Sequence, residues 1–453
     1  MKIAFVSQPI DPILPPFQNS VGACTYGAAC SLAKANDVTV YGLQGPNSAS
    51  ETAHRGVRFR FLPSTASDRL RVGLRRKLSK FVQLSSPLST SQWFYPDYGR
   101  DVARELAAEP FDVIHIQHCS QYVPVVRDLN PRAKIVLHLH AEWFSQCKPA
   151  SLGTRLRGLN LLTTVSDHIT NKTRRDLPAF AGRCETVYNG INVEEFTAEK
   201  NYPTAETGSR VKRIMYAGGI SPHKGIHVLL DAFKIVAAQY PDVHLDIIGP
   251  RGSYPLEETF DLRDRASIEN VAPFYAKNRL SLLKSKLSRS AQNSDRYLPY
   301  LQSKITGAIA DKVAFLGMIP RPELIQHYYD ADLFVFPPIW DEGFGIPPVE
   351  AMAAGVPVVA TRSGAIVETV QHGETGLLVE KNDPRALAQA LLALLTDDAL
   401  RERMGRAGRL RATTRFTWDC AAAKMHSLYH ALCSDEAGKK TNSTERLSLA
   451  RHP

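Results

Sequence analysis

The chain has 453 residues, of which 44% are hydrophobic and 22% are charged, and its formal net charge at pH 7 is +10. These values are typical of a globular protein of two or three domains, and the positive charge favours anionic partners such as nucleotides, acidic glycans, lipid headgroups or nucleic acid. No run of eighteen apolar residues is present, which argues against a membrane-spanning helix, and seven cysteines without a CxxC pair argue against a disulfide framework or a zinc ribbon.

Strand and helix patterns alternate through the first half of the chain, which predicts a parallel sheet with crossover helices. The N-terminus is too short and too strand-like for a signal peptide, so we expect a cytoplasmic protein. A helix is predicted from about 22 to 35, and the segment 15–22 before it is not a GxGxxG fingerprint, which argues against a nicotinamide-dependent dehydrogenase. The predicted strands are 2–7, 37–43, 57–62, 112–117, 134–140, 162–166 and 185–188.

Two stretches of the chain are strongly basic. The first, 69–81, carries no acid and six cations: Arg69, Arg71, Arg75, Arg76, Lys77 and Lys80. The second lies within a predicted insertion, 253–311, and carries Lys277, Arg279, Lys284, Lys286, Arg289, Arg296 and Lys304. A solvated helix face is the default interpretation of both, and binding to an anionic membrane surface through cations interleaved with apolar residues is the alternative. No nucleic-acid recognition motif accompanies the charge, so no nucleic-acid partner is expected.

Four histidines cluster in the first half, namely His115, His118, His138 and His140. Residues 138 and 140 are two apart on a predicted strand and therefore point to the same face. A neighbouring strand could bring a third imidazole to them as a metal site, but no carboxylate spacing supports this. Core or cleft-lining histidines are the favoured interpretation.

The first domain is predicted to span 1–196 and to be followed by a polar linker, 197–212. The second domain is predicted over 213–415, with a helix from about 225 to 239 and a strand over 243–249. An amphipathic helix is expected over 416–433, followed by a disordered polar tail over 434–453.

A glycine-containing loop, 218–225, joins the first strand of the second domain to a helix. Where a reaction expels a diphosphate, negative charge grows on its oxygens in the transition state. A fixed ammonium stabilises that charge more than it stabilises the ground state, and Lys224 is our candidate for this role.

A second loop, 341–355, reads DEGFGIPPVEAMAAG and lies between two predicted buried strands. It places Glu342 and Glu350 eight positions apart across the start of a helix, where open α/β sheets bind ligands. Glycines feed the helix N-terminus, which suits a phosphate. Glu350 could accept from vicinal sugar hydroxyls and Glu342 from a second sugar, so the arrangement fits a nucleotide-sugar. The nearby Asp330-Ala331-Asp332 is interpreted as capping and turn chemistry rather than as a metal-binding DxD.

The second loop closely resembles the EGFGxxxxEAMAxGxPVVA signature of the retaining GT-B glycosyltransferases of family 4. The resemblance covers most of 211–395 apart from the insertion, and 1–195 more weakly. It implies an α/β protein of two Rossmann-like, doubly wound domains facing a cleft, with the helix 416–433 crossing back to the first domain. The implied activity is transfer of a sugar from a nucleotide-sugar to a glycan, a lipid-linked acceptor or a small molecule, with retention of configuration.

The resemblance also implies roles for individual residues. Glu350 should bind the ribose hydroxyls and Glu342 the sugar hydroxyls, while Lys224 should bind the diphosphate. His140 should line the sugar pocket. The implied positions on the backbone are Gly343, Phe344 and Gly345 around the sugar-phosphate, Gly218 and Gly219 beside the diphosphate, and Gly22 in a first-domain loop facing the cleft.

The chain departs from the family at Gly219, where an arginine usually contacts the donor phosphates. Arg251, just past a strand ending at Gly249, is a candidate substitute. No cofactor and no obligatory metal are expected, because Lys224 and helix N-termini would carry the diphosphate. Two alternatives stay open: a nucleotide-sugar 2-epimerase of the same fold, and a catalytically weak nucleotide-sugar-binding protein. If the basic stretches bind lipid, the protein would sit peripherally on the inner face of the membrane.

Overall fold

The computed structural model describes residues 1–16, 18–45, 49–79, 91–142, 144, 147, 149–200, 202, 211–252, 268–269, 271, 274 and 297–448. Side chains are described throughout these ranges except in 76–79, 149–151 and 435–448. Two sheets with helices packed on them form two α/β domains, which is the fold class that the sequence predicts.

The first sheet has eight strands in the order β3-β4-β2-β1-β5-β6-β7-β8. All described neighbours pair in parallel except β3 and β4. The strands are β1 (Lys2–Val6), β2 (Asp37–Leu43), β3 (Glu51–His54), β4 (Val57–Leu62), β5 (Val113–Gln117), β6 (Lys134–Leu139), β7 (Leu161–Thr164) and β8 (Cys184–Thr186). The helices are α1 (Ser20–Leu32), α2 (Ala66–Ser79), α3 (Pro96–Ala108), α4 (Val123–Leu129), α5 (Pro149–Arg155) and α6 (Asp167–Asp176).

The second sheet has six parallel strands in the order β11-β10-β9-β12-β13-β14. They are β9 (Lys212–Ala217), β10 (Val243–Ile248), β11 (Val313–Gly317), β12 (Leu333–Phe336), β13 (Val358–Thr361) and β14 (Gly376–Val379). The helices are α7 (Ile226–Gln239), α8 (Tyr297–Lys304), α9 (Arg321–Asp330), α10 (Ile346–Ala353), α11 (Ile366–Thr369), α12 (Pro384–Thr396), α13 (Asp398–Arg415) and α14 (Trp418–Ser448). The strand order reverses between β9 and β12, which opens a crevice at their carboxyl ends.

The central strands are apolar throughout because both of their faces are covered. In β1, Ile3 and Phe5 pack into one core cluster, while Ala4 and Val6 pack into the cluster on the other side of the sheet. The seven strands predicted for the first domain are confirmed to within about two residues of their bounds. Strand β3 was not predicted, because it is a short polar edge strand that exposes most of its residues.

The last helix returns the chain from the second domain to the first, as the resemblance implies. Ala421, Ala422, Met425 and Tyr429 of α14 are buried in the cluster that contains Ile3 and Phe5. The two crossings of the chain lie side by side, since Ile191 donates its backbone N–H to the Phe416 carbonyl at 2.9 Å. The first domain is therefore completed by the C-terminal helix.

The C-terminal tail and the predicted insertion differ in how far the structure describes them. Helix α14 continues to Ser448, which corrects the disordered tail expected over 434–453 for its first fifteen residues. A helix already anchored by packing propagates at little cost per residue, and Glu, Ala, Lys and Arg in this stretch are good helix formers. Most of the predicted insertion, including its basic stretch 277–296, lies outside the described residues. None of the helices in the described ranges carries an apolar stretch long enough to cross a membrane.

Candidate active site

The loop after β9 is held in place at Gly225, which no other residue could replace without displacement. Gly225 has φ +70°, and a Cβ there would lie 1.9 Å from the Pro337 carbonyl oxygen. This close approach joins the loop after β9 to the loop after β12. Lys224 ends a short 3-10 helix, Pro222–Lys224, directly before Gly225, so its side chain is delivered to the crevice between the two strands.

The loop after β12 is shaped in a similar way. Gly345 precedes α10 with φ +86°, and a Cβ there would lie 2.4 Å from Ile366. Gly364, after β13, has φ +51°, and a Cβ there would lie 2.4 Å from the Glu342 carbonyl oxygen. The backbone of Glu342 is therefore held between neighbouring loops, and the Ala365 N–H donates to its carbonyl oxygen at 2.9 Å.

Lys224 and Glu342 form an ion pair in the crevice. The Lys224 Nζ lies 2.6 Å from the Glu342 Oε2, and the Trp340 indole N–H donates to the same oxygen at 3.1 Å. Both side chains are mostly buried, and the ammonium also lies 5.5 Å from the Phe336 ring centroid and 5.2 Å from that of Trp340. An ammonium has three donors, so this pair leaves capacity for an anion beside it.

Glu350 lies on α10 and is buried, with both carboxylate oxygens engaged. Its Oε1 lies 2.6 Å from the Arg321 guanidinium, and its Oε2 accepts from the Tyr328 hydroxyl at 3.0 Å. A carboxylate can accept about four hydrogen bonds, so capacity for a ligand hydroxyl remains. The Arg321 guanidinium supplies the opposite charge that a buried carboxylate needs.

The first domain contributes His140, which follows β6. Burial lowers the pKa of this imidazole to about 3, so it is neutral. Its Nε2 lies 2.8 Å from the Gln117 side-chain oxygen, and its backbone N–H donates to the His118 ring at 3.2 Å. A proton on Nε2 would pair with the Gln117 oxygen and would leave the ring's lone pair on Nδ1.

The two domains meet at this histidine. A Cβ on Gly343 would lie 2.7 Å from the His140 carbonyl oxygen and 3.4 Å from Ile169. Only a glycine allows so close an approach, so the loop carrying Glu342 lies directly against the end of β6. The backbone of His140 therefore lies against the loop that carries Glu342, and Glu342 in turn pairs with Lys224.

The other clustered histidines have structural contacts. His115 Nδ1 lies 2.5 Å from the Tyr429 hydroxyl and His138 Nδ1 lies 2.8 Å from the Thr163 hydroxyl, and burial lowers the pKa of both. Within the described ranges, no group of three or more His, Cys, Asp or Glu side chains is arranged to hold a metal ion. These contacts favour the core interpretation over a metal site.

A second contact between the domains was not predicted. The Glu368 carboxylate, in α11, accepts from the backbone N–H groups of Asp167 at 2.8 Å and His168 at 2.6 Å, and so caps the N-terminus of α6 in the first domain. His168 also pairs with Glu142, and that hydrogen bond raises the pKa of His168. Sequence spacing gives no signal for this contact, because its partners lie about 200 residues apart.

Three expected site positions have different surroundings. Gly219 is open, since a Cβ there would meet only the Ser221 hydroxyl at 4.0 Å. Arg251 is exposed and its backbone bridges to Ile220, beside that glycine. Gly22 lies in the first turn of α1, close to the start predicted for that helix, and a Cβ there would lie 2.1 Å from the Pro12 carbonyl oxygen.

The two aspartates before β12 make structural contacts. Asp332 accepts from the Arg213 backbone N–H at 2.8 Å, and Asp330 accepts from the Gln326 amide at 2.9 Å. Both contacts agree with the capping and turn interpretation.

Comparison with known proteins identifies the architecture. Residues 300–411 match the family described as Glycosyl transferases group 1, and residues 21–195 match Glycosyltransferase Family 4. The chain is 27% identical to a putative glycosyltransferase, YtcC, of Bacillus subtilis. This match spans 347 residues and covers 74% of this chain and 76% of that protein. It is 31% identical over 265 residues to phosphatidyl-myo-inositol mannosyltransferase of Mycobacterium leprae, covering 58% of this chain and 57% of that one. The fold is similar to that of Anabaena HepE in complex with UDP and glucose, with a TM-score of 0.64 and 18% identity over 94% of this chain and 99% of that one.

Proposed function

Because the chain belongs to the GT-B glycosyltransferases of family 4, we propose that it transfers a sugar from a nucleoside diphosphate sugar to an acceptor with retention of configuration. The chain is a glycosyltransferase; the donor, the acceptor and the stereochemistry are the parts that we propose. The UDP and glucose held by the HepE structure support a nucleotide-sugar donor, and they make UDP-sugars the first to test.

The observation that carries this proposal is the pair of Lys224 and Glu342 at the carboxyl ends of β9 and β12, opposite His140. The donor's diphosphate would lie beside the Lys224 ammonium, which offsets the charge that grows on the leaving oxygens. Glu342 would accept from hydroxyls of the transferred sugar. On the first-domain side, the neutral His140 would accept another sugar hydroxyl at Nδ1.

The remaining donor contacts would come from α10 and the loop before it. Pro347 and Pro348 carry no N–H, so the backbone donors at this helix end are those of Phe344, Gly345 and Ile346. They would hold the sugar-phosphate, while Glu350, one turn further along, would accept from the ribose hydroxyls. Lys224 would then bind the diphosphate without an obligatory metal, a point that activity in the presence of EDTA would test.

Retention of configuration by this site is best explained by front-face displacement. Glu342 is already paired with Lys224 and Trp340, which makes it a poor nucleophile for a covalent intermediate. In the proposed step, the acceptor oxygen attacks the anomeric carbon from the face that the diphosphate leaves. The bond to the leaving oxygen breaks, and the departing phosphate takes the acceptor proton.

Calorimetry with a panel of UDP-, GDP- and ADP-sugars tests donor binding. Glu350→Ala should weaken donor binding by roughly 1.5–3 kcal/mol per lost charged hydrogen bond. The matched control is Glu380→Ala, since the Glu380 side chain is largely exposed and its ion pair with Arg362, at 3.5 Å, lies at the surface. Equal donor affinity in the Glu350→Ala variant and the wild type would overturn the ribose assignment.

Product analysis distinguishes the proposed transfer from the two alternatives. An epimerase would release free nucleotide and an epimerised sugar without any acceptor, whereas a binding protein would give no product with any acceptor pool. Proton NMR of the transferred sugar gives the anomeric configuration, and an inverted product would refute retention.

Helix α2 supports a lipid-linked acceptor. Leu70 and Leu74, four positions apart and therefore on one face, are 73% and 49% exposed, and they alternate with the cations of the first basic stretch. An apolar stripe among cations suits the surface of an anionic bilayer. The similarity to a phosphatidyl-myo-inositol mannosyltransferase favours the same class of acceptor.

A further inference from the structure

We propose that Arg321 is a positioning residue for the donor's ribose, because it holds Glu350 and ties it to the segment that joins the two domains. Its Nη1 lies 2.6 Å from the Glu350 Oε1. Its Nε and Nη2 lie 2.9 and 2.6 Å from one oxygen of Glu195. One guanidinium therefore links the proposed ribose acceptor to residue 195, which lies in the 3-10 helix Val193–Glu195 just after the first domain crossing.

The shape of the guanidinium is what allows this link. Its planar fork presents donors on two edges, so it can serve two carboxylates at once in fixed directions. A lysine ammonium at the same place would have to choose between the carboxylates or contact both poorly. Arg321 also neutralises two acids, of which Glu350 is buried, so removal of the guanidinium would leave a buried charge uncompensated.

The same segment supports the second partner of Glu350. Phe196, which follows Glu195, lies 5.8 Å under the Arg321 guanidinium and 6.3 Å from the Tyr328 ring. Both groups that contact the Glu350 carboxylate thus rest on Phe196. Its carbonyl is fixed in turn by the Arg409 guanidinium at 2.9 Å. A shift of this segment would move both partners of Glu350 together.

The consequence is selectivity for a ribonucleotide. A carboxylate held from two sides is already oriented to accept from the 2′- and 3′-hydroxyls of a ribose. A mobile carboxylate would lose conformational entropy on binding, and this loss would weaken the contact. This inference rests on the proposed function, in which Glu350 accepts from the ribose hydroxyls. It adds Arg321 as the residue that lets Glu350 distinguish a ribonucleotide from its 2′-deoxy counterpart.

Calorimetry of UDP and GDP, each beside its 2′-deoxy counterpart, tests the inference on the full-length protein. In Arg321→Ala the affinity for the better-binding ribonucleotide should fall roughly tenfold, while that for the 2′-deoxy nucleotide should change much less. Arg321→Lys should recover part of the preference, and Glu195→Gln should lose part of it. The control, Arg362→Ala, removes an exposed arginine of the same domain and should keep the wild-type preference.

The outcomes separate this inference from the proposed function. An equal loss for both nucleotides in Arg321→Ala and Arg321→Lys, or no loss in either, would overturn the positioning role. If Glu350→Ala abolishes the ribose preference but both Arg321 variants keep it, the ribose acceptor stands and only the inference fails. If the wild type shows no ribose preference, the ribose assignment fails and takes the inference with it. If a thermal melt shows that Arg321→Ala is not folded, the affinities of Arg321→Lys and Glu195→Gln for the two nucleotides test the positioning role instead.

Discussion

Replacement of Gly343 by alanine should open the cleft and slow sugar transfer without unfolding either domain. The added Cβ would lie 2.7 Å from the His140 carbonyl oxygen, whereas an ordinary contact begins near 3.4 Å. The two loops must therefore separate by about 0.7 Å to relieve this contact. Since a misplacement of about 1 Å can cost a hundredfold in rate, turnover should fall roughly ten- to a hundredfold.

The expected signature is a loss in kcat with little change in donor affinity, because Lys224 and Glu350 both belong to the second domain and move with Gly343. Nucleoside diphosphate release measures turnover, calorimetry measures donor binding, and the melting temperature should stay within about 2 °C of the wild type. Gly182→Ala is the matched control, since a Cβ there meets nothing within 4 Å. Wild-type turnover in the Gly343 variant would refute the domain contact as the origin of the active geometry.

Four further outcomes follow from the same structure. Lys224→Ala should lower turnover roughly a hundred- to a thousandfold while weakening binding of the intact donor much less, as initial rates and calorimetry would show. Gly219→Arg should fold normally, because a Cβ at this position has open space around it. If the site lacks a cation beside the donor phosphates, this variant should turn over faster than the wild type. Unchanged kinetics would show that no cation is missing there. Burial raises the pKa of Asp11 to about 6, above its ordinary 3.8, so the contribution of Asp11 to folding stability is fully present below pH 3.8 and is lost as pH rises through 6. Asp11→Asn should remove that loss and melt at a higher temperature at pH 7, since the Asn19 amide at 2.7 Å keeps an acceptor. Replacement of Leu70 and Leu74 by serine should reduce co-sedimentation with anionic vesicles roughly tenfold or more, and wild-type binding that ignores lipid charge and salt would refute membrane docking.

The parts of the fold that the sequence predicts are those whose signals are local. Buried parallel strands such as Lys2–Val6 and Leu333–Phe336 are recognisable as apolar runs. The loop that carries Glu342 is recognisable by its glycines and by the helix start that follows them. The proposed site residues Lys224 and Glu342 were found for the same reason. Their direct pairing was not foreseen, because each was assigned a separate part of the donor.

The contacts that escaped prediction join residues far apart in the chain. Arg321 and Glu195 are 126 positions apart, and Glu368 caps a helix in the other domain. In the sequence, no local pattern distinguishes Arg321, Glu195 or Glu368 from ordinary solvated residues. Their roles depend on how the two domains meet, which local periodicity cannot encode.

The return of α14 to the first domain means that the second domain is an insertion within the first. The chain leaves near Ile191 and comes back at Thr417, and these two points are joined by a parallel bridge. Because the entry and exit are adjacent, the stretch between them has both ends at one place and could be exchanged between relatives as a single cassette. Such a swap would keep the first domain whole, including Tyr429 against His115, whereas a cut after residue 196 would remove the last helix of that domain.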